Sequence, residues 1–242
     1  MKKPTREERF FAAAWNGNAG ELESMLKNIR KAKRLVDARI HPMGVTCLHL
    51  AENAECVRIL LSYGADPNAR VLRSVDGSRT KGVTPIIYVA SGERIAKTRG
   101  EALRLLLNAG ARVNEASDSG QTALHNAVDI VATQLLLTAG ADVNAVDVDH
   151  WTALHFAERA EQARALLAAG SDVHAKDVEG REPLYYAKSV EQALCLIEAG
   201  ACIDDGVLAH NAFVAEAYAV HENRLRLEHA EAAALARPRH RA

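Results

Sequence analysis

The chain has 242 residues, of which 48% are hydrophobic, 25% are charged and only 5% are aromatic. Its formal net charge of −1 gives it no electrostatic reason to bind nucleic acid or an anionic membrane surface. The first residues lack the apolar core of a signal peptide, and no apolar run approaches the roughly 18 residues that span a bilayer, so we expect a cytoplasmic protein that binds neither nucleic acid nor membrane.

Residues 8–40 are predicted to form an atypical first repeat. An alanine-rich helix that contains Phe10 is followed by Asn16-Gly17-Asn18 and by a second helix with Leu22, Met25 and Leu26 at helical spacing. A terminal unit of a stacked protein packs on one neighbour only, so its departure from a repeat motif is expected.

A two-part motif then recurs along the chain. Thr-x-Leu-His is followed by Gly-Ala-Asp-x-Asn, and the threonine and the glycine keep the same separation in most copies, as in Thr46 and Gly64. The later copies open at Thr122, Thr152 and the degenerate Glu182, which are evenly spaced. A fixed period of roughly 20–50 residues is the signature of a stacked-repeat protein.

The spacing is longer around the copy that opens at Thr84, because Thr84 follows Thr46 by more than the regular period. The extra residues include Asp76-Gly77 between short, partly alternating segments, which predicts an inserted hairpin over 70–82. The same copy is also long between its two helices, over 91–100.

From Gly206 the motif does not return. Residues 206–236 are predicted to form a capping helix or helix pair, and a break near His221 is the alternative left open. Residues 237–242 are predicted to be a basic tail, which leaves 1–205 for the repeats.

These motifs resemble ankyrin repeats, which carry T-P-L-H-x-A, a leucine-rich helix and then G-A-D-x-N. The resemblance covers the repeats of residues 1–205 and implies an all-α solenoid of about six repeats plus a C-terminal capping helix, with β-hairpin turns between helix pairs. It also implies that His49, His125 and His155, which share one motif position, hydrogen-bond between helix and turn. The period of about 30 residues is shorter than the usual unit of roughly 33 residues.

Catalysis is not predicted. The sequence contains no nucleophile elbow, phosphate-binding glycine loop or H-E-x-x-H motif. The motif histidines lie on different repeats, and the four cysteines form no C-x-x-C pair, which favours free thiols. We therefore expect no enzyme activity, no catalytic residues, no metal and no cofactor.

The resemblance implies that hairpin tips and inner helices line a concave face that grips a protein. The matching tip positions are Asp118, Ser119, Gln121, Asp149, His150, Trp151, Val178, Glu179 and Arg181, and those on the inner helices are Asn126, Phe156, Glu158, Tyr186 and Lys188. An exposed Trp151 beside Phe156 and Tyr186 is predicted to be a binding hot spot. The alternative is that the Trp151 side chain folds back on the neighbouring finger, that is, on the hairpin turn of a neighbouring repeat. His150 stands where glycine is usual, so a distorted turn is expected.

The inserted hairpin is a second predicted binding feature. Its basic residues are Arg70, Arg73, Arg79 and Lys81, with Arg94, Lys97 and Arg99 nearby in the sequence. Such a prong could dock into an acidic cleft, and the alternative is a mobile solvated loop. Acidic residues at later tips (Asp147, Asp149, Asp177 and Glu179) would make the face bipolar, which favours a protein partner over a polyanion.

The sequence thus predicts a non-catalytic protein-binding module, monomeric on its own, that inhibits or tethers its partner. A stand-alone chain rich in alanine and arginine is similar to prokaryotic ankyrin proteins, which implies an immunity or inhibitor protein, or alternatively a secreted effector that hijacks host proteins. A second alternative is an enzyme or nucleic-acid binder with its activity in residues 207–242.

Overall fold

A computed structural model describes residues 3–27, 32–40, 43–73, 81–92 and 95–236, with the backbone alone at Ile40 and 230–236. Among these residues the chain is mostly helical, with a single two-stranded pairing. The chain divides into two compact units, Met1–Ala153 and Leu154–Ala242.

The described part of the first unit contains eight short helices, and residues 123–126, where a first helix was expected, form turns instead. The helices are α1 (Arg6–Trp15), α2 (Ala19–Lys27), α3 (Ala32–Val36), α4 (Cys47–Leu50), α5 (Ala54–Ser62), α6 (Pro85–Ser91), α7 (Arg99–Asn108) and α8 (Ile130–Thr138). Strands β1 (Arg39–Ile40) and β2 (Val45–Thr46) pair antiparallel, with Arg39 opposite Thr46.

The first repeat begins with a reciprocal helix cap. The Thr5 hydroxyl accepts a hydrogen bond from the Glu8 amide at 3.1 Å, and the Glu8 carboxylate accepts one from the Thr5 amide at 2.6 Å. Helix α1 packs on α2 and α4 and buries Phe10 completely. The extra helix α3 was not predicted.

Successive helix pairs of the first unit stack through leucines and alanines. Helix α5 packs against α2 and α7, and α7 packs against α8. The fully buried side chains include Leu60, Leu103, Leu106 and Leu136, while Ala102 and Ala132 allow the helices to approach closely.

Asparagines also join neighbouring repeats at the carboxyl ends of the second helices. The amide group of Asn68 accepts from the Arg112 N–H at 2.8 Å and donates to the Gly110 carbonyl at 3.0 Å. Asn114 makes the same pair of bonds with Asp142 and Gly140, at 2.8 and 3.1 Å. Each asparagine therefore satisfies backbone groups at the next helix end, which a helix leaves without partners.

The base of the inserted hairpin is paired, because Val71 donates to the Val83 carbonyl and Gly82 donates to the Val71 carbonyl, both at 2.9 Å. Its tip lies outside the described residues. Arg99, expected near a basic surface, is instead buried at the start of α7 and bonds the carbonyls of Val89 and Gly92.

The second unit contains α9 (Ala153–Phe156), α10 (Ala160–Ala168), a 3₁₀ turn (Pro183–Tyr186), α11 (Val190–Glu198), α12 (Asp205–His210) and α13 (Ala212–Ala236). Helix α10 packs on α11, and α11 packs on α13. No helix within the described part of the chain is both long enough and apolar enough to cross a membrane.

The C-terminal helices are interrupted at Asn211 and not near His221. The Asn211 side-chain oxygen accepts from the Phe213 amide at 3.0 Å, and its amide nitrogen donates to the carbonyls of Tyr185 and Ala187. From there α13 runs unbroken and buries Val214 and Ala217.

Candidate functional site

The motif histidines connect the segment after each motif threonine to the next finger, the hairpin-like turn that precedes each repeat. The Thr122 amide donates to His125 Nδ1 at 3.1 Å, so Nδ1 is an acceptor and Nε2 carries the proton. His125 Nε2 then donates to the Trp151 carbonyl at 3.0 Å. His49 bonds Thr46 and the Val83 carbonyl in the same way.

Burial keeps these rings neutral. It lowers the pKa of His49 to about 4 and also lowers the pKa of His125. In the second unit, His155 Nε2 lies 3.4 Å from the Arg181 carbonyl. The hydrogen-bonding role implied for these histidines is therefore present at all three positions.

Two of the finger turns are each organised by a buried aspartate. Asp147 Oδ1 accepts from the amides of Asp149 and Trp151, at 2.9 and 3.0 Å. Asp177 does the same for Glu179 and Arg181 in the second unit, at 2.8 and 2.9 Å. Asp147 and Asp177 were expected to contribute to an acidic surface. They do not, because they are only 4% and 5% exposed.

His150 adopts a left-handed backbone conformation, with φ of 61°. The equivalent turn positions of other repeats are glycines, including Gly120 and Gly180, with φ of 80° and 79°. The turn keeps the usual bond, since His150 donates to the Asp147 carbonyl at 3.0 Å. The expected distortion is therefore absent, and His150 adopts a backbone conformation that costs little only for glycine.

The predicted tip residues around His150 have a mixture of exposures. Trp151 is half-buried rather than fully exposed, and His150 is exposed. Gln121 donates to Asp147 at 3.3 Å, and Asp149 is half-buried. Asn126 is half-buried and donates to the Thr122 carbonyl at 3.1 Å.

Two basic residues of the inserted hairpin make ion pairs with the following finger. Arg70 contacts Glu115 at 2.5 Å and Asp118 at 3.0 Å, and Lys81 contacts Asp118 at 2.8 Å. Hydrogen bonds from Lys81 and then Arg70 lower the pKa of the Asp118 carboxyl. Arg73 is exposed, and Arg79 lies outside the described residues.

In the second unit an arginine lies among aromatic rings. The Arg181 guanidinium lies 4.9 Å from the Tyr185 ring centroid and 5.2 Å from that of Tyr186. The Tyr186 hydroxyl donates to Asp177 at 2.5 Å, and burial followed by this bond raises its pKa. Tyr185 stacks on His210 with centroids 4.1 Å apart. We call these four residues, Arg181, Tyr185, Tyr186 and His210, the aromatic cluster.

The aromatic cluster borders an open cavity of about 610 Å³, lined in part by Arg181, Tyr185 and His210. Tyr185 and His210 were not among the predicted binding residues, because no motif position links them. Stacking of aromatic and cationic groups beside a concavity is typical of recognition sites.

The other predicted residues of the second unit differ in exposure, and one of them contacts this cluster. Phe156 is half-buried, Glu158 and Lys188 are exposed, and Glu179 pairs with Arg181. Two fingertip valines are also exposed. Val178 in the second unit, a predicted tip position, is 60% exposed, and Val148 in the first unit, which was not predicted, is 57% exposed. The recurrence of valine at the same position of successive repeats was the available signal for Val148.

A group of possible metal ligands also lies in the second unit. His174, Glu182 and Cys202 each offer one ligand atom, and these atoms lie within 4.8 Å of one another. The charge of Glu182 is the largest cause of the raised pKa of the Cys202 thiol. The other three cysteines, at 47, 56 and 195, are buried free thiols.

The repeats match the ankyrin repeat family model over residues 43–71, 119–148 and 149–178. The chain therefore contains ankyrin repeats. The predicted fold class, an all-α ankyrin-repeat solenoid, is confirmed. Ankyrin repeats form protein-interaction modules, and the chain is one.

Two known proteins share these repeats. The chain is 34% identical over 104 residues to mouse (Mus musculus) protein phosphatase 1 regulatory subunit 27, a match covering 42% of this chain and 58%, a little over half, of that relative. The structure of the present chain is also similar to the crystal structure of the ankyrin repeat domain of Bcl-3, a member of the IkappaB protein family. That similarity has a TM-score of 0.63 at 25% sequence identity and covers 84% of this chain and 89% of the other.

Proposed function

We propose that this ankyrin repeat protein binds one protein partner through its fingertips and first helices, and that it inhibits or tethers that partner without catalysing a reaction. The name of the mouse relative, a regulatory subunit of a phosphatase, supports this kind of role. An immunity or inhibitor protein is the form we favour. Such a module would act by covering part of its partner's surface.

The conformation of His150 is the observation that carries the proposal. A left-handed residue other than glycine costs about 1–2 kcal/mol. Such strain concentrates at binding and active sites, where the side chain is needed in that position. His150 is exposed and adjoins the half-buried Trp151, so the strained turn presents an imidazole beside an indole.

The aromatic cluster supplies a second contact region on the other unit. Tyrosine and arginine are over-represented among residues that dominate binding energy. Arg181 is held in place by Asp177 and by both tyrosine rings, so little side-chain entropy would be lost on binding. We propose that Arg181, Tyr185 and Tyr186 contact the partner directly.

The inserted hairpin would contribute through fewer charges than its sequence suggests. Arg70 and Lys81 already neutralise acidic groups of the next finger. We therefore propose that electrostatic steering of an acidic partner depends on Arg73 and Arg79, and that Arg70 and Lys81 fix the base of the hairpin.

The test begins by capturing the partner from native lysate with the full chain and purifying it. Its affinity is then measured by calorimetry for the wild type and for Trp151→Ala, His150→Gly and Arg181→Ala. We expect each variant to bind at least about tenfold more weakly, since hot-spot truncations cost more than about 1 kcal/mol. Gln134→Ala and Glu191→Ala change exposed second-helix positions and are expected to keep the wild-type affinity.

His150→Gly separates function from stability. The substitution relieves the strain of the left-handed residue, but glycine also adds chain entropy to the unfolded state. The net effect should be a stabilisation of the fold by up to about 1 kcal/mol, while binding of the partner weakens. A variant that is more stable and binds equally well would show that the imidazole has no role. Equal binding by all three variants would remove both contact regions from consideration.

A further inference from the structure

We propose that His174, Glu182 and Cys202 form a binding site for one zinc ion in the second unit. The site goes beyond partner recognition, because it would bind a metal whether or not a partner is present. Imidazole nitrogen, carboxylate oxygen and thiolate sulfur are the three side-chain ligand types that zinc prefers.

The distances fit a tetrahedral ion. His174 Nδ1 lies 3.4 Å from Glu182 Oε1 and 3.7 Å from Cys202 Sγ. Zinc bond lengths of about 2.0–2.3 Å place tetrahedral nitrogen and oxygen ligands about 3.4 Å apart, and nitrogen and sulfur about 3.5 Å apart. Two of the three separations are therefore already close to those that the ion requires, and the third, between Glu182 and Cys202, is no more than 4.8 Å.

All three residues replace the one usual at their motif position. His174 stands where Asn68, Asn114 and Asn144 stand in other repeats. Glu182 occupies the threonine position, and Cys202 occupies a position that is aspartate in most repeats. Three separate departures from the repeat pattern thus meet at one point.

The departures also change the backbone bonding. In the first unit the asparagine of one repeat binds the second amide after the next helix-ending glycine, as Asn114 binds Asp142. At the corresponding Cys202 amide the acceptor is Glu182 Oε2, at 3.0 Å. Glu182 makes no side-chain cap on its own helix, so its carboxylate is directed to His174 and Cys202.

The site is accessible and close to neutral when filled. His174 and Cys202 are exposed, whereas the Glu182 side chain is 11% exposed and held by the Cys202 amide. Glu182 and Cys202 also line the open cavity of about 610 Å³, which leaves the fourth position to water. One carboxylate and one thiolate balance the two charges of the ion.

The experiment uses the full chain, reduced, treated with a chelator and then freed of it. Zinc chloride is titrated by calorimetry, and cobalt chloride by absorption spectroscopy. We expect one ion per chain and a thiolate-to-cobalt charge-transfer band. His174→Ala, Glu182→Gln and Cys202→Ser should each bind zinc at least about tenfold more weakly, and Cys202→Ser should lose the band.

Matched controls separate the site from adventitious binding. His229→Ala, Glu191→Gln and Cys195→Ala each remove the same chemical group elsewhere, and we expect unchanged affinity. Glutamine at 182 can still accept from the Cys202 amide, so Glu182→Gln tests the ligand without removing that bond. Wild-type zinc binding no tighter than that of a chain carrying His174→Ala, Glu182→Gln and Cys202→Ser together, or a charge-transfer band that persists in Cys202→Ser, would overturn the proposal.

Discussion

His49 shows how one side chain links the sequence motif to the stability of the fold. Its ring is buried, its Nδ1 accepts the Thr46 amide, and its Nε2 donates to the Val83 carbonyl. Protonation would place a second proton on Nδ1 and break the bond with Thr46. The neutral ring is therefore a requirement of the packed repeat.

This predicts a loss of stability in mild acid. The pKa of His49 falls from 6.5 to about 4 on folding, so the unfolded chain takes up the proton first. The neutral ring contributes fully to the free energy of unfolding above pH 6.5. This contribution is lost as the pH falls towards 4, and the total loss is about 3 kcal/mol. Denaturant unfolding of wild type and His49→Gln at a series of pH values across this window measures it, and a slope unchanged in His49→Gln would contradict the prediction.

Thr84 lacks the partner that the other motif threonines have. The residue three positions later is Ile87 instead of histidine, and the Thr84 hydroxyl is buried without a hydrogen bond. A buried hydroxyl without a partner costs about 1–3 kcal/mol.

We therefore expect Thr84→Val, which has nearly the same shape, to stabilise the protein by about 1 kcal/mol. Thr122→Val is the matched control, and it should destabilise because His125 then loses its hydroxyl partner. Thermal unfolding of both variants measures these two changes in stability. Equal destabilisation would mean that the Thr84 hydroxyl is bonded in solution.

At the scale of elements, Arg99 determines how α7 meets its neighbours. It is 3% exposed, donates to the carbonyls of Val89 and Gly92, and pairs with Asp129, which also caps α8. A single guanidinium thus holds α6, α7 and α8 together in the repeat with the longest connections.

Arg99→Met should remove all of these bonds while keeping most of the volume. Breaking one partner from a buried pair costs about 3–5 kcal/mol, and we expect the lower end because the Asp129 side chain is 33% exposed. Arg104→Met on the exposed side of the same helix is the control, with a change below about 0.5 kcal/mol. Denaturant midpoints give both values. Similar losses in the two variants would contradict a special role for Arg99.

The sequence predicted the second helix of each regular repeat well, and glycines such as Gly140 end it with positive φ. The first helix was predicted less well, because residues 123–126 after Thr122 form turns and the segment after Glu182 is a 3₁₀ turn. The sequence could not predict the burial of Arg99, because Asp129, the partner of Arg99, lies in the next repeat and no local pattern connects the two residues. Basic character alone suggested a surface role, whereas burial and three acceptors make it structural.

At the scale of the whole molecule, stability in a repeat protein is a sum of neighbour interfaces, so an uncovered end is costly. Helix α13 packs against α11 and buries Val214 and Ala217. The capping role of 206–236 stays a prediction. Removal of residues after Asp205 would expose the apolar side of α11.

We expect a chain ending at Asp205 to lose about 3 kcal/mol or more and to bind a hydrophobic dye. A chain ending at Ala236, which lacks only the basic tail, is the control and should match the wild type. If the shorter chain instead stays folded but no longer binds its partner, the C-terminal segment carries function and is not a cap.

The candidate sites were less predictable than the fold, since they combine positions far apart in sequence. Tyr185 belongs to the last repeat and His210 to the C-terminal helices, while the proposed zinc ligands come from two successive repeats. Neither combination matches a known motif. Trp151 was noticeable in the sequence, but its half-buried state depends on packing that composition does not specify.

The asparagine links of the first unit give two built-in gauges of cooperativity. The Arg112 and Asp142 amide protons are bound by oxygens of the preceding repeat, Asn68 and Asn114. Each proton can exchange with deuterium only when that junction separates. Their exchange rates in the unmodified chain therefore report, junction by junction, whether the stack opens as one body or peels apart from an end.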